Sequence, residues 1–343
     1  LIAGEIIAVL GVKTLVVVHL TPLLHQMRQA LESCLKVGEV GQVGDGKFEP
    51  RDVTVAMIQT LHARRTDPEM KKFLASIGCV VFDEGHHLPS DSAFDIAHSI
   101  DARYRFAMSA TPWRSDGRDL MIHAATGRRI VDINASQLIA QGYLARPDVI
   151  FHDVAPVQTG LLAYKPSYRA AIVQNAKRNT QIADIAARYA RKGKTVLVAV
   201  DQVGHGKLLL AALHAAGVTK SIFIRGENES EEKIRALRDL DSRQVSCVVA
   251  TTGFGEGVDV PSLDVLINAK GNKSRVVTLQ IAGRALRKTA TKSRAAVIDF
   301  IDHARYFRSA SKTRWLTYRT ESEFPIRRSD PSGSLSRISK WEC

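Results

Sequence analysis

An α/β fold with two mostly parallel sheets flanked by helices is predicted by three observations. Short β-branched runs alternate with helical stretches along the chain, the pattern of successive β-α-β units. The runs are almost continuously apolar, as strands are when helices cover both faces of a sheet. At 343 residues the chain is also too long for one small core and fits two domains of about 100–200 residues each.

The elements are read in chain order. Ile2–Leu10 is short and apolar, but it contains Glu5 and has no basic segment before it, so it reads as a buried helix and not a signal peptide. Strands are expected at Thr14–Val18, Val53–Ile58, Val80–Phe82 and Tyr104–Ser109, with a helix at Pro22–Cys34. In the second half they are expected at Thr195–Val200, Lys220–Ile224, Ser246–Ala250, Val265–Asn268 and Ala295–Phe300. Helices Ile182–Arg191, Ser230–Leu240 and Val277–Lys288 fall between them. The stretch Gly142–Pro166 holds three prolines and little periodicity, which places the domain junction there: residues 1–150, then 151–308. From His303 onward nine Lys or Arg accompany four acids, so residues 309–343 read as a loose, basic, Ser/Arg-rich tail.

Composition narrows the function class. Apolar residues make up 45% and charged residues 24%, usual for a soluble globular protein. No apolar run approaches the ~20 residues of a bilayer helix, so no membrane partner is expected. The four cysteines show no metal-ligand spacing; Cys79 and Cys247 lie in strand-like runs and read as core, and a reducing cytoplasm is the simplest setting. A net charge of +13 attracts polyanions, nucleic acid first among them, although a basic surface can also serve solubility alone.

Two segments 200 residues apart carry the chemistry. Cys79-Val80-Val81-Phe82 runs into Asp83-Glu84, so an apolar strand delivers two carboxylates to the edge where open α/β sheets hold ligands. Asp83 suits a Mg²⁺ ion on phosphate oxygens, and Glu84 suits polarising a water. In isolation such a pair more often caps the next helix. Gln280-Ile281-Ala282-Gly283-Arg284-Ala285-Leu286-Arg287 places Gln280, Arg284 and Arg287 three or four residues apart, one face of a helix. Guanidinium forks suit the spread charge of a phosphoryl transition state, and a solvated basic helix is the plain alternative. Thr251-Thr252-Gly253-Phe254-Gly255-Glu256-Gly257 is glycine-rich enough for the backbone to approach a phosphate. Tyr306 and Phe307, beside Arg305 and Arg308, are a possible stacking surface, and Trp113 is another, though gap filling suits it better.

These segments, in this order, resemble the DExH-box superfamily 2 helicases and translocases, with wording most similar to XPB-like and restriction-subunit-like DNA helicases. DEGH from Asp83 to His86 is similar to motif II, Ser109-Ala110-Thr111 to motif III, Thr251–Pro261 to motif V and Gln280–Arg287 to motif VI. Val16–His19 with Leu23–Gln26 resembles motif Ia without its usual Pro-Thr pair. Thr54–Leu61, Val196–Asp201 and Arg225-Gly226-Glu227 resemble Ib/Ic, IV and IVa.

The resemblance spans residues 1 to about 303 and implies two RecA-like domains, ATP and Mg²⁺ as cofactors, and nucleic acid as partner, DNA more than RNA. It implies Asp83 as metal ligand and Glu84 as base, with His86, Gln280, Arg284 and Arg287 completing the catalytic set. It implies Gly257, Asp259, Gln280, Arg284 and Arg287 on the nucleotide, and His19, Thr60, Ser109, Thr111, Arg225, Gly226, Thr251 and Thr252 on the nucleic acid. A monomer is expected, with accessory domains or subunits possible.

A phosphate loop, GxxxxGK[ST], is missing from residues 1–343. Gly193-Lys194-Thr195 is a decoy: position 188 is Arg188 where a glycine is required, and the triplet precedes a strand instead of following one. The loop is expected just ahead of Leu1, and the chain by itself is expected to bind ATP poorly and to turn over little or none. Two other readings stay open: a nucleic-acid-binding remnant without catalysis, and a double-strand translocase that does not unwind.

Overall fold

The computed structural model describes all residues except 1, 36–37, 110–116, 158–162, 227, 229, 252–259, 261, 291, 330–333, 338–340 and 342–343. It divides into two compact units, Leu1–Asp132 and Ile133–Cys343.

In the first unit β1 (Thr14–Val18), β2 (Gly41–Gly44), β3 (Lys47–Glu49), β4 (Val53–Met57), β5 (Cys79–Phe82) and β6 (Tyr104–Ala107) form a sheet in the order β3-β2-β4-β1-β5-β6. Its pairs are parallel except β2 with β3. β1 shows why its sequence is a strand. Leu15 and Val17 pack into one core with Phe73, Phe82 and Ile96, while Val16 and Val18 pack into another with Ile7, Leu24 and Val81. Both faces are covered, so alternation disappears from the sequence. Each aliphatic side chain buried this way contributes roughly 1.5–3 kcal/mol. The β2–β3 hairpin, turning at Asp45 with φ +53°, was not foreseen, because strands of four and three residues with glycine at both ends of β2 carry no periodicity.

The second unit holds β7 (Arg146–Asp153), β8 (Val196–Val200), β9 (Ser221–Ile224), β10 (Cys247–Thr251), β11 (Val265–Asn268), β12 (Arg294–Ile301), β13 (Ile326–Ser329) and β14 (Leu335–Arg337). The order is β14-β13-β7-β12-β11-β8-β10-β9, with only the β13–β14 pair antiparallel among the described residues. Again Leu197 and Ala199 face one core, and Val196, Val198 and Val200 the other. Cys79 and Cys247 are buried, as expected of core residues.

Two expectations need correction. The boundary at 150 would cut β7, which pairs with β12 along its full length, so residues from 133 belong to the second unit. Pro147, near the start of the strand where a missing N–H is tolerated, made this segment read as a linker. The tail is also not loose. Helix Phe307–Tyr318 buries Phe307, Arg314, Trp315 and Tyr318, and β13 adds to β7. Arg314 is fully buried, 2.8 Å from Asp299 and 3.8 Å from Asp302, while Arg178 lies 2.8 Å from Asp302. A count of charges cannot distinguish arginines neutralised in a core from arginines in solvent.

His205, fully buried in helix Val203–Ala215, donates from Nε2 to Asn179 Oδ1 at 3.0 Å. Burial, and then the charge of Arg178, lowers its pKa to about 3. The folded value lies below the unfolded one, so the stabilisation is present above about pH 6.5 and is lost as pH falls toward 3. This residue alone is expected to lower stability by about 3 kcal/mol between pH 7 and pH 4. Urea unfolding at the two pH values checks it: the acid-induced loss should shrink by that amount in His205→Gln, and equal losses would refute the assignment.

Candidate nucleotide and nucleic-acid sites

The first unit gathers its candidate residues at the C-terminal ends of its strands, where an open α/β sheet places ligands. His19 follows β1, Thr60 lies in the helix Ile58–Ala63 after β4, Asp83 and Glu84 follow β5, and Ser109 follows β6. Hydrogen bonds tie these ends together. Gln59 Nε2 donates to His19 O at 2.9 Å, and Asp83 N donates to Val17 O at 3.0 Å. Gly85 N donates to Met108 O at 2.8 Å. A Cβ on Gly85 would stand 2.7 Å from Ala107 Cβ, so only glycine lets the acidic turn lie against β6.

Glu84 sits at φ +48°, ψ +51°, a left-handed conformation costing about 1–2 kcal/mol for a residue with a side chain. That strain, with the 3₁₀ turn Gly85–His87 behind it, turns the chain sharply after β5. His86 Nδ1 lies 3.2 Å from Glu84 Oε2 and 3.2 Å from Ser109 Oγ. One nitrogen can carry one proton. With the proton on Nδ1 it donates to Ser109 Oγ, and without it accepts from the serine hydroxyl, while the Glu84 carboxylate lies within ion-pair distance. The imidazole thus lies between Glu84 and the end of β6. The rings of His19, His87 and His86 follow one another at 4.2 Å between centroids.

Asp83 is half-buried, and burial followed by the charge of Glu84 raises its pKa above the usual carboxylate range. A backbone hydrogen bond from Glu84 and the imidazoles of His19 and His86 pull it back. A cation beside it would relieve the buried charge. Among the described residues no group of three or more His, Cys, Asp or Glu could hold a metal ion.

In the second unit Arg225 and Gly226 follow β9, and Thr251 ends β10. Gly226 N donates to Thr251 Oγ1 at 2.8 Å, so the structure brings these two together. Gln280 and Arg284, both half-buried, lie on the helix Arg275–Ala285, capped by Ser274 Oγ accepting from Val277 N at 3.3 Å. Arg287 corrects the expected helix Val277–Lys288: the helix stops at Ala285, and Arg287 forms a β-bridge with Leu144. Leu286 O accepts from Ala145 N at 2.7 Å, pulling the backbone out of helical register. The three side chains therefore do not share a helix face. Thr111, Thr252, Gly257 and Asp259, and also Trp113, lie outside the described residues.

Sequence reasoning missed Lys270. It is 2% exposed after β11, with Nζ 3.1 Å from Asp201 Oδ1. Burial lowers its pKa, the Asp201 charge opposes that shift, and the Arg284 charge reinforces it. A lysine directly after an apolar strand was the only available signal. At the opposite sheet edge a cavity of about 410 Å³ is lined by Arg191, Lys194, Lys220 and Arg243. Arg243 donates to Gly193 O, and Lys194 lies 3.1 Å from Asp264, so these cations chiefly satisfy carbonyls and a carboxylate. Gly193-Lys194-Thr195 leads into β8, as expected of a decoy.

Comparison with known proteins places the family and the fold. Residues 2–114 match the family model of the type III restriction enzyme res subunit, and residues 177–289 match the helicase conserved C-terminal domain. The chain is 27% identical over 285 residues to the DNA 3'-5' helicase XPB of Kineococcus radiotolerans, covering 80% of this chain and 49% of that protein. It is 26% identical over 324 residues to the DNA 3'-5' translocase XPB2 of Sulfurisphaera tokodaii, covering 84% and 72%. The chain spans about half the length of several curated relatives it matches. S. cerevisiae Dbp5 bound to RNA and ADP BeF3 shares the fold, with a TM-score of 0.65 at 11% identity over 92% of this chain and 77% of that one. With two RecA-like sheets and both halves of a helicase core matched in order, the chain belongs to the superfamily 2 helicases.

Proposed function

We propose that this chain is the motor core of an ATP-dependent helicase or translocase that moves along nucleic acid, DNA in preference to RNA. The observation that carries the reading is the strained acidic turn after β5, where Glu84 is held beside His86 and Ser109. Mg²⁺ would supply neutralisation of phosphate charge. Asp83 would hold it, and Glu84 would orient and deprotonate the attacking water. His86 would sense the charge of Glu84 and transmit it to Ser109. Arg284 and Arg287 would stabilise charge on a transferring phosphate, while Gln280, Gly257 and Asp259 would position the nucleotide. His19, Thr60, Ser109, Thr111, Arg225, Gly226, Thr251 and Thr252 would grip the strand, mainly through its phosphates. The names of the DNA helicase and translocase relatives support DNA.

The test is ATP hydrolysis by the full-length protein that contains these residues, with and without DNA or RNA. Stimulation by one of them is expected, with affinity falling steeply as salt rises because phosphate contacts release counterions. No stimulation by either would refute the reading. A relative named as a translocase gives reason to run strand displacement beside triplex displacement. Activity in the second assay alone identifies a translocase that does not unwind.

A further inference from the structure

The second unit carries an aromatic surface that the catalytic and motif residues do not use. Tyr164, in the helix Tyr164–Tyr168, is 51% exposed. Its ring stands 5.6 Å from Tyr306, 5.7 Å from Phe307 and 6.2 Å from Tyr168. Phe307 and Tyr168 are buried and form the floor. Of the pair Tyr306 and Phe307 offered by the sequence as one alternative for stacking, Phe307 is thus buried. Tyr306 is half-buried, and the Arg305 guanidinium lies 5.2 Å over its ring.

The surroundings are basic. Residues 154–178 contain no Asp or Glu, nor do residues 303–320. Lys165, Arg169, Arg305 and Arg308, drawn from those two stretches, are all exposed. The neighbouring carboxylates are already engaged: Asp201 with Lys270, Asp302 with Arg178 and Arg314, and Asp153 with His303 and Arg328. The surface also adjoins the sheet edge that carries Thr251 and Gly226. Tyr168 Oη donates to Lys270 O at 2.9 Å, and the charge of Asp201, after burial, raises the Tyr164 pKa.

We propose that Tyr164 and Tyr306, ringed by Lys165, Arg169, Arg305 and Arg308, form a base-stacking platform for a single strand of nucleic acid. A supported, exposed ring offers its face to any base, and the cations meet the phosphates on either side. Four exposed cations around the rings, with the nearby Asp201 carboxylate already paired to Lys270, favour a polyanion over a protein, whose surfaces carry both signs. The inference deepens the motor reading and rests on it for the presence of nucleic acid, but it requires no ATP hydrolysis.

The experiment is fluorescence anisotropy of the 343-residue chain with a single-stranded oligonucleotide and with an abasic strand of equal length. Tyr164→Ala is expected to weaken binding of the base-bearing strand about 5- to 150-fold and to leave the abasic strand unchanged, while Tyr164→Phe retains affinity. Replacing Arg305 and Arg308 by Ala should weaken both strands alike and flatten the salt dependence by about one contact each. The proposal is overturned if Tyr164→Ala leaves the base-bearing strand unaffected, as a protein-docking role would, or weakens both strands equally. If binding survives Tyr164→Ala but fails in Arg225→Ala, the platform is wrong and the motor reading stands. If the unaltered chain binds no strand, both fail.

Discussion

Glu84→Gln is expected to lower ATP turnover of the full-length protein by about 10²–10⁴, the usual contribution of a positioned general base, while nucleotide and nucleic acid still bind. The amide matches the carboxylate in size but cannot take a proton from water. It also carries no charge to attract the His86 imidazole, whose Nδ1 lies 3.2 Å from the Glu84 carboxylate. The left-handed backbone should persist, because the bond from Gly85 N to Met108 O and the close approach to Ala107 hold the turn independently of the side chain. Single-turnover phosphate release checks the prediction. Turnover within tenfold of the unaltered protein, with nucleotide affinity intact, would remove Glu84 from the role of base.

The largest stability effect is expected at Arg314. Its guanidinium donates to Asp299 Oδ1 at 2.8 Å, to Asn272 O at 2.7 Å and to Phe300 O at 2.9 Å, all inside the second unit. Asp299 also accepts from Tyr318 Oη and Asn268 Nδ2. Arg314→Leu leaves the Asp299 carboxylate buried without its counter-ion, which costs roughly 3–5 kcal/mol. Asp302 keeps Arg178, so the loss should centre on Asp299. Adding Asp299→Asn to Arg314→Leu removes the uncompensated charge, and the pair should recover a large part of the loss, a coupling that a double-mutant cycle reads directly. Chemical unfolding followed by near-ultraviolet signal measures it. A single-variant loss below about 1 kcal/mol would mean that the ion network is not what holds the tail helix.

The foreseen and unforeseen elements divide by the range of the physics involved. β1, β5, β8, β10 and β11 were legible because burial on both faces writes an apolar run into consecutive residues. Asp83 and Glu84 were legible because the end of such a run is itself a location. Arg287 was misread because helical spacing ignores the pull of Ala145 on Leu286, residues far apart in the chain. β7 and the helix Phe307–Tyr318 were misread because prolines and arginines were judged by composition, without partners. Lys270 escaped notice because a lone lysine has no periodicity.

The sequence by itself determined that this is a two-sheet α/β protein with an acidic pair at a strand end and a glutamine–arginine motif far downstream, since hydrophobic continuity and motif spacing are local properties. Only the tertiary structure decided which charges are buried and paired, that Glu84 bends left-handed against β6, and that the tail completes the second sheet. Those outcomes depend on contacts such as Arg178 with Asp302, 124 residues apart, whose energies exist only once the chain has brought the partners together and excluded water.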